Sequence, residues 1–118
     1  MNVETSQEVV DLVRAGNTAA IRAVREAGRT IGEVLTACVS IINPAVIVLG
    51  GSLALAGEHL LAGAREVIYR RSMPLATGNL QIAQSRSGPN AAVQGASMLA
   101  VHHALSPERI DSLLGANR

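Results

Sequence analysis

The chain contains no lysine, tryptophan or phenylalanine, and Tyr69 is its single aromatic residue. A core without large rings must be built from Ala, Val, Leu and Ile, so close backbone approach has to replace bulky filling. One cysteine, Cys38, excludes an internal disulfide and makes a reducing, cytoplasmic setting the default. Set among Leu35, Val39 and Ile42, that thiol reads as a small buried hydrophobe. Charge of one sign is also missing. Ten arginines face nine acids for a net +1, which argues against a dedicated nucleic-acid surface, and no aromatic platform for stacking bases exists. Arg70-Arg71 and Arg86 are isolated surface charges rather than a basic stripe. No apolar run is long enough for a membrane span, and no basic segment followed by an apolar one opens the chain, so a soluble protein with no membrane partner is expected.

What is present is organised around Asn43-Pro44-Ala45-Val46-Ile47-Val48-Leu49-Gly50-Gly51-Ser52. Five consecutive apolar residues between a proline and a glycine pair do not alternate. Such a strand calls for cover on both faces, as in a parallel sheet. The glycine pair falls at its carboxyl end, where open α/β sheets bind ligands.

Around it the pattern is helical. Thr5-Ser6-Gln7-Glu8 matches a capping box for a short helix carrying Val9, Leu12 and Val13, which Gly16 can end and after which Asn17 can cap the next. That next helix runs from about Thr18 to Ile42. Ile21, Val24, Gly28, Ile31, Leu35, Cys38 and Ile42 form a heptad seam that wants a facing helix. Gly28 and Gly32, one turn apart, each cost about 1 kcal/mol in a helix interior, and a close helix crossing is the return. Beyond Glu33 the segment is nearly all apolar and is expected to run into the interior. Leu60, Leu61, Ala64, Val67 and Ile68 mark a third helix ending near Arg71. Residues 73–79 read as a connection, Leu80–Gln84 as a second strand and 85–89 as a loop. Asn90–Leu105 reads as a fourth helix, slim on its packing side. Ser106-Pro107-Glu108 supplies a cap, a proline at the first position and an acid in the first turn of a terminal helix, within a 106–118 extension.

The reading is one α/β domain over residues 1–118, order α-α-β-α-β-α-α, helix-rich with two parallel strands joined by a right-handed crossover. Two strands make a very small sheet, and Val46–Leu49 reads as central, so a neighbour for it lies outside the chain.

Chemistry is sparse. His102 and His103 point about 100° apart on a helix, His59 is remote, and no metal set emerges. Glu58, Glu66 and Glu108 have no paired carboxylate. Ser52 has no histidine in a nucleophile arrangement and reads as a helix cap. The residues offer no catalytic group and no metal site.

Ile31-Gly32, then Ile41-Ile42-Asn43-Pro44 and Val46-Ile47-Val48-Leu49-Gly50-Gly51, with Ser85, Gly88, Ala91, Gly95 and Ala96 beyond, resemble the ROK family across roughly Val9 to Leu105. That family comprises bacterial sugar kinases, related open reading frames and transcriptional repressors on the actin-like ATPase (ribonuclease H-like) fold. The resemblance implies a partial lobe of that fold, corresponding to the final third of a ROK protein, with three antiparallel strands beside Val46–Leu49 in the complete lobe. It implies that Gly50 and Gly51 line an adenosine pocket, where a residue without Cβ admits a ligand closely. It also shows what this chain lacks: the phosphate loop, catalytic aspartate, sugar-binding residues, zinc motif and winged helix of family members. The reading is therefore a non-catalytic, cofactor-free piece of a sugar-responsive transcriptional regulator, supplying oligomer contacts and part of an effector or nucleotide cleft. Its alternatives are the same lobe of an ATP-dependent hexose kinase and a free-standing dimerisation module. A homo-oligomer is expected through the strand at Ala45–Leu49 or the helix Ile21–Ile42, because an uncovered strand edge is a template for pairing.

Overall fold

The computed structural model describes residues 2–115, which form two compact units divided between Gly88 and Pro89. In the first, α1 spans Ser6–Arg14. The Thr5 hydroxyl accepts from the Glu8 N–H at 3.2 Å, while the Glu8 carboxylate reaches one residue further back than a standard capping box, to the Glu4 N–H at 3.1 Å. Gly16, at φ +81°, turns the chain, and Asn17 Oδ1 accepts from the Ala20 N–H at 3.0 Å to start α2, Thr18–Ile42. The helix stops at Asn43, whose left-handed backbone (φ 50°, ψ 57°) is one that asparagine tolerates. Its N–H closes on the Val39 carbonyl, and Pro44 cannot continue the ladder.

Strand β1, Val46–Leu49, follows, then a 3₁₀ turn at Ser52–Ala56 and helix α3, Glu58–Arg71. The segment expected to be a plain connection holds a one-turn helix, α4, Pro74–Thr77, with proline at its first position. Strand β2, Gln81–Gln84, pairs parallel with β1 in the register Val46↔Gln81 to Leu49↔Gln84. The fold is thus the helix-rich α/β lobe with two parallel strands read from the sequence.

α2 and α3 pack through backbone. A Cβ added to Gly28 would run into the Leu60 carbonyl, one on Gly32 would lie 2.8 Å from the Ala64 carbonyl oxygen, and one on Gly63 would strike the Arg25 carbonyl. Glycines from both helices therefore interlock, as a core without aromatics requires. The buried stripe of α2 is Ala20, Val24, Gly28, Gly32 and Val39. Of the expected heptad seam, Val24 and Gly28 lie in this stripe, and the rest is corrected: Ile21, Ile31, Leu35 and Cys38 flank the contact half-buried, and Ile42 is exposed. The smallest side chains set the axis because they let the helices approach.

Two apolar clusters result. Val10, Val13, Val24, Ala54, Ala56 and Leu60 join α1, α2, the 3₁₀ turn and α3. Val39, Leu61, Ile68, Leu80 and Ile82 lie under the sheet, where each large side chain contributes about 1.5–3 kcal/mol. Ile47 and Leu49 pack against that second cluster, but Val46 and Val48, on the opposite face, are 51% and 59% exposed. Within this unit, then, β1 is covered on one face only. Likewise the apolar end of α2 does not reach an interior: Val34, Ile41 and Ile42 are exposed, because no other element of the unit lies over them.

The second unit consists of a short 3₁₀ turn and two helices, α5, Ala91–Ala104, and α6, Pro107–Gly115. The Ser106 hydroxyl donates to the His103 carbonyl at 2.8 Å, closing α5 rather than capping α6 as its position suggested. Its own carbonyl accepts the first N–H groups of α6, from Arg109 and Ile110.

Candidate functional site at the carboxyl ends of the strands

Parallel strands finish at the same edge. The Leu49 carbonyl accepts the Ser85 N–H at 2.8 Å, which brings Gly50-Gly51 beside Ser85-Arg86-Ser87-Gly88. Gly51 (φ 91°, ψ 172°) lies in a region open essentially to glycine alone, and Gly57 and Gly88 have φ of +73° and +66°. The backbone thus makes three glycine-dependent bends along one rim. Gly50 differs from them, because its φ is ordinary and a Cβ there would meet only the Ser85 Cβ at 3.6 Å. The Ser85 hydroxyl accepts the Ser87 N–H at 3.2 Å, shaping the β2 side of the rim.

Gly50 and Gly51, singled out from the sequence, are exposed and adjacent at this rim. Ser85, Gly57 and Gly88 join them, and the glycine ahead of the acidic start of α3 was the signal for Gly57. Ser52 does not cap: the 3₁₀ turn follows Gly51 with no side-chain hydrogen bond at its start. Between Gly50 and Gly57 and between Gln84 and Gly88 the one ionisable side chain is Arg86. The rim exposes bare backbone at Gly50 and Gly51. It offers no acid, base or activated nucleophile of its own.

Ionisable groups gather elsewhere. Glu66 on α3 accepts from Arg29 Nε at 3.2 Å and faces Arg25 at 3.5 Å, and Arg29 also donates to Glu26 at 2.8 Å. The Arg29 hydrogen bond holds the Glu66 carboxyl below its ordinary range, while Glu26, and then Glu66, raise Arg29. This network spans α2 and α3 on their polar side, away from the rim. His59 is half-buried, His102 and His103 are exposed, and among the described residues no three His, Cys, Asp or Glu groups converge as metal ligands. No described helix is long and apolar enough to cross a membrane.

Comparison with known proteins places this geometry. The ROK family model matches residues 2–103. The xylose repressor of Caldicellulosiruptor bescii is 28% identical over 102 residues, covering 86% of this chain and 26% of the repressor. A ROK family transcriptional regulator homologous to the E. coli MLC protein superposes with a TM-score of 0.67 at 19% identity, over 71% of this chain and 21% of that one. A sugar-kinase candidate from Cytophaga hutchinsonii gives 0.72 at 20% identity, over 86% and 34%. The chain spans about a quarter of the length of the curated relative, and its fold is shared with both regulator and kinase. With the family model covering most of its length, the chain belongs to the ROK family.

Proposed function

We propose that this chain serves as a non-catalytic lobe of a sugar-responsive ROK transcriptional regulator in the cytoplasm of a bacterium, with the Gly50-Gly51 rim forming one wall of an effector or nucleotide cleft. The observation that carries the reading is the similarity to the xylose repressor along nearly the whole chain. The rim is compatible with it, because Gly50 and Gly51 expose backbone at the carboxyl ends of the strands.

The kinase reading draws on the sugar-kinase candidate, whose structure aligns over more of this chain than the regulator's does. At about 20% identity both structures speak for the fold, so the kinase remains the second reading. Deleting these residues from the chromosome decides between them. The regulator reading expects altered sugar-dependent transcription with hexose phosphorylation in extracts unchanged; lost phosphorylation with normal induction would contradict it. With the purified chain, ATP and hexose should yield no sugar phosphate above a blank.

A further inference from the structure

Two side chains of α3 reach over the outer margin of β2. In the parallel pair the Gln81 and Ser85 N–H groups donate to the Ala45 and Leu49 carbonyls, so residues 81, 83 and 85 face β1. By strand alternation the backbone groups of Leu80 and Ile82 point away from it. Both of those outward carbonyls are occupied. Arg65 Nη2 donates to the Ile82 carbonyl at 2.8 Å, and the Tyr69 hydroxyl to the Leu80 carbonyl at 3.0 Å.

The spacings of helix and strand match. Arg65 and Tyr69 stand about one turn apart on α3, roughly 6 Å along its axis, and outward carbonyls recur about every 6.6 Å along a strand. The earlier helix residue meets the later strand residue, as a helix running back between two parallel strands requires. The other arm of the Arg65 fork is also held, because Nη1 donates to Glu58 at 2.8 Å. A strand joining this margin would bring its own N–H nitrogens to about 2.9 Å from the same carbonyls. A guanidinium nitrogen and a phenol oxygen already fill those positions, and the Arg65 charge stays partly exposed beside them. Every contact lies within residues 58–82, so none depends on what else the protein contains.

We infer that Arg65 and Tyr69 form an edge guard: they close the outer margin of β2 to strand addition by occupying its carbonyls. Native sheets protect an edge with charge or with a covering element, and here the side chains of one helix do both. Any further strand of the sheet joins it past β1.

Amide exchange of Ile82 in the full 118-residue chain reads the guard, because this outward N–H is the donor that a joining strand would engage. In the parent its rate should not change with protein concentration. Arg65→Met combined with Tyr69→Phe frees both carbonyls while keeping side-chain bulk. In that double variant the exchange should slow at least about tenfold from micromolar to millimolar protein, as the sedimenting mass rises. Arg70→Met loses the same charge and gains the same apolar group at an exposed position of α3, and should behave as the parent. Circular dichroism checks the fold of each protein. Should the double variant fail to fold, Tyr69→Phe alone, which changes one hydroxyl, should show the same slowing to a smaller degree; an unslowed Tyr69→Phe would then refute the guard. Concentration-dependent protection of Ile82 in the parent, a folded double variant that matches the parent, or an Arg70→Met protein that matches the double variant would each overturn the inference.

Discussion

Replacing Gly28 with alanine sets two effects against each other, and the structure decides between them. In an isolated helix the change is favourable by about 1 kcal/mol. Here the new Cβ would overlap the Leu60 carbonyl and lie 3.2 Å from the Ala64 backbone nitrogen. Neither atom can swing aside, because both belong to the backbone of α3. Relief requires the two helices to part by roughly 1 Å, and a gap of that size forfeits a quarter to a half of each dispersion contact it opens. Val24, Leu60, Ala64 and Val67, all nearly fully buried, lose packing together. Overpacking of this kind costs about 1–3 kcal/mol, to which the lost packing adds. Against the gain in propensity we expect a net destabilisation of about 2 kcal/mol, or roughly 8–16 °C in Tm for a domain of this size. Thermal unfolding followed by circular dichroism measures it, with Gly95→Ala as the control, since a Cβ on Gly95 meets nothing within 4 Å. Gly63→Ala should cost a similar amount. The double variant should cost less than the sum, because helices already parted accommodate the second methyl. A Gly28→Ala protein as stable as the parent, or more so, would refute the close crossing.

At the rim, Gly51→Ala should lose about 1–3 kcal/mol, because φ 91° with ψ 172° is strained for any residue with a Cβ. Gly50→Ala should leave stability within about 0.5 kcal/mol, so any change in nucleotide or sugar binding by that variant, read by calorimetric titration, reports on the cleft and not on folding. The Arg29–Glu66 contact makes a pH prediction. Glu66 has a folded-state pKa below its unfolded value, so its contribution to stability is present above the ordinary carboxylate range and is lost as pH falls through the depressed value. Denaturant unfolding across mildly acidic pH should therefore show a flatter acid limb for Glu66→Gln than for the parent; parallel limbs would show that the contact is not maintained in solution. Asn17→Ala, which removes the Oδ1 cap on Ala20, should cost about 1 kcal/mol by the same assay.

Local signals in the sequence were strong wherever a single residue determines the backbone. Thr5, Asn17 and the Asn43-Pro44 step mark helix ends because their caps and φ restrictions act within a few residues. The uninterrupted apolar run gives β1 its limits. The close crossing at Gly28 and Gly32 was legible in α2, but the seam was drawn on through Ile31 and Leu35, which only flank it, and Gly63 on the opposing helix becomes meaningful only once the two are brought together. α4 is too short to carry a periodicity, so Pro74–Thr77 reads as a connection. The rim was half legible: Gly50-Gly51 stands out beside the strand, whereas Ser85 reaches it only through the parallel register. The hydrogen bonds from Arg65 and Tyr69 to the Ile82 and Leu80 carbonyls were invisible, because both side chains lie on α3 and reach another segment of the chain. The same holds for the half-covered β1, whose apolar run states a need for cover without naming what provides it.

Amide hydrogen exchange at Val46 and Val48 in the unmodified chain tests that need most directly. In this chain Ile47, whose N–H faces β2, should exchange slowly, whereas Val46 and Val48, which face away from β2, should exchange fast. Slow exchange of Val46 and Val48, or fast exchange of Ile47, would contradict a β1 that is paired on one side and half covered within this unit.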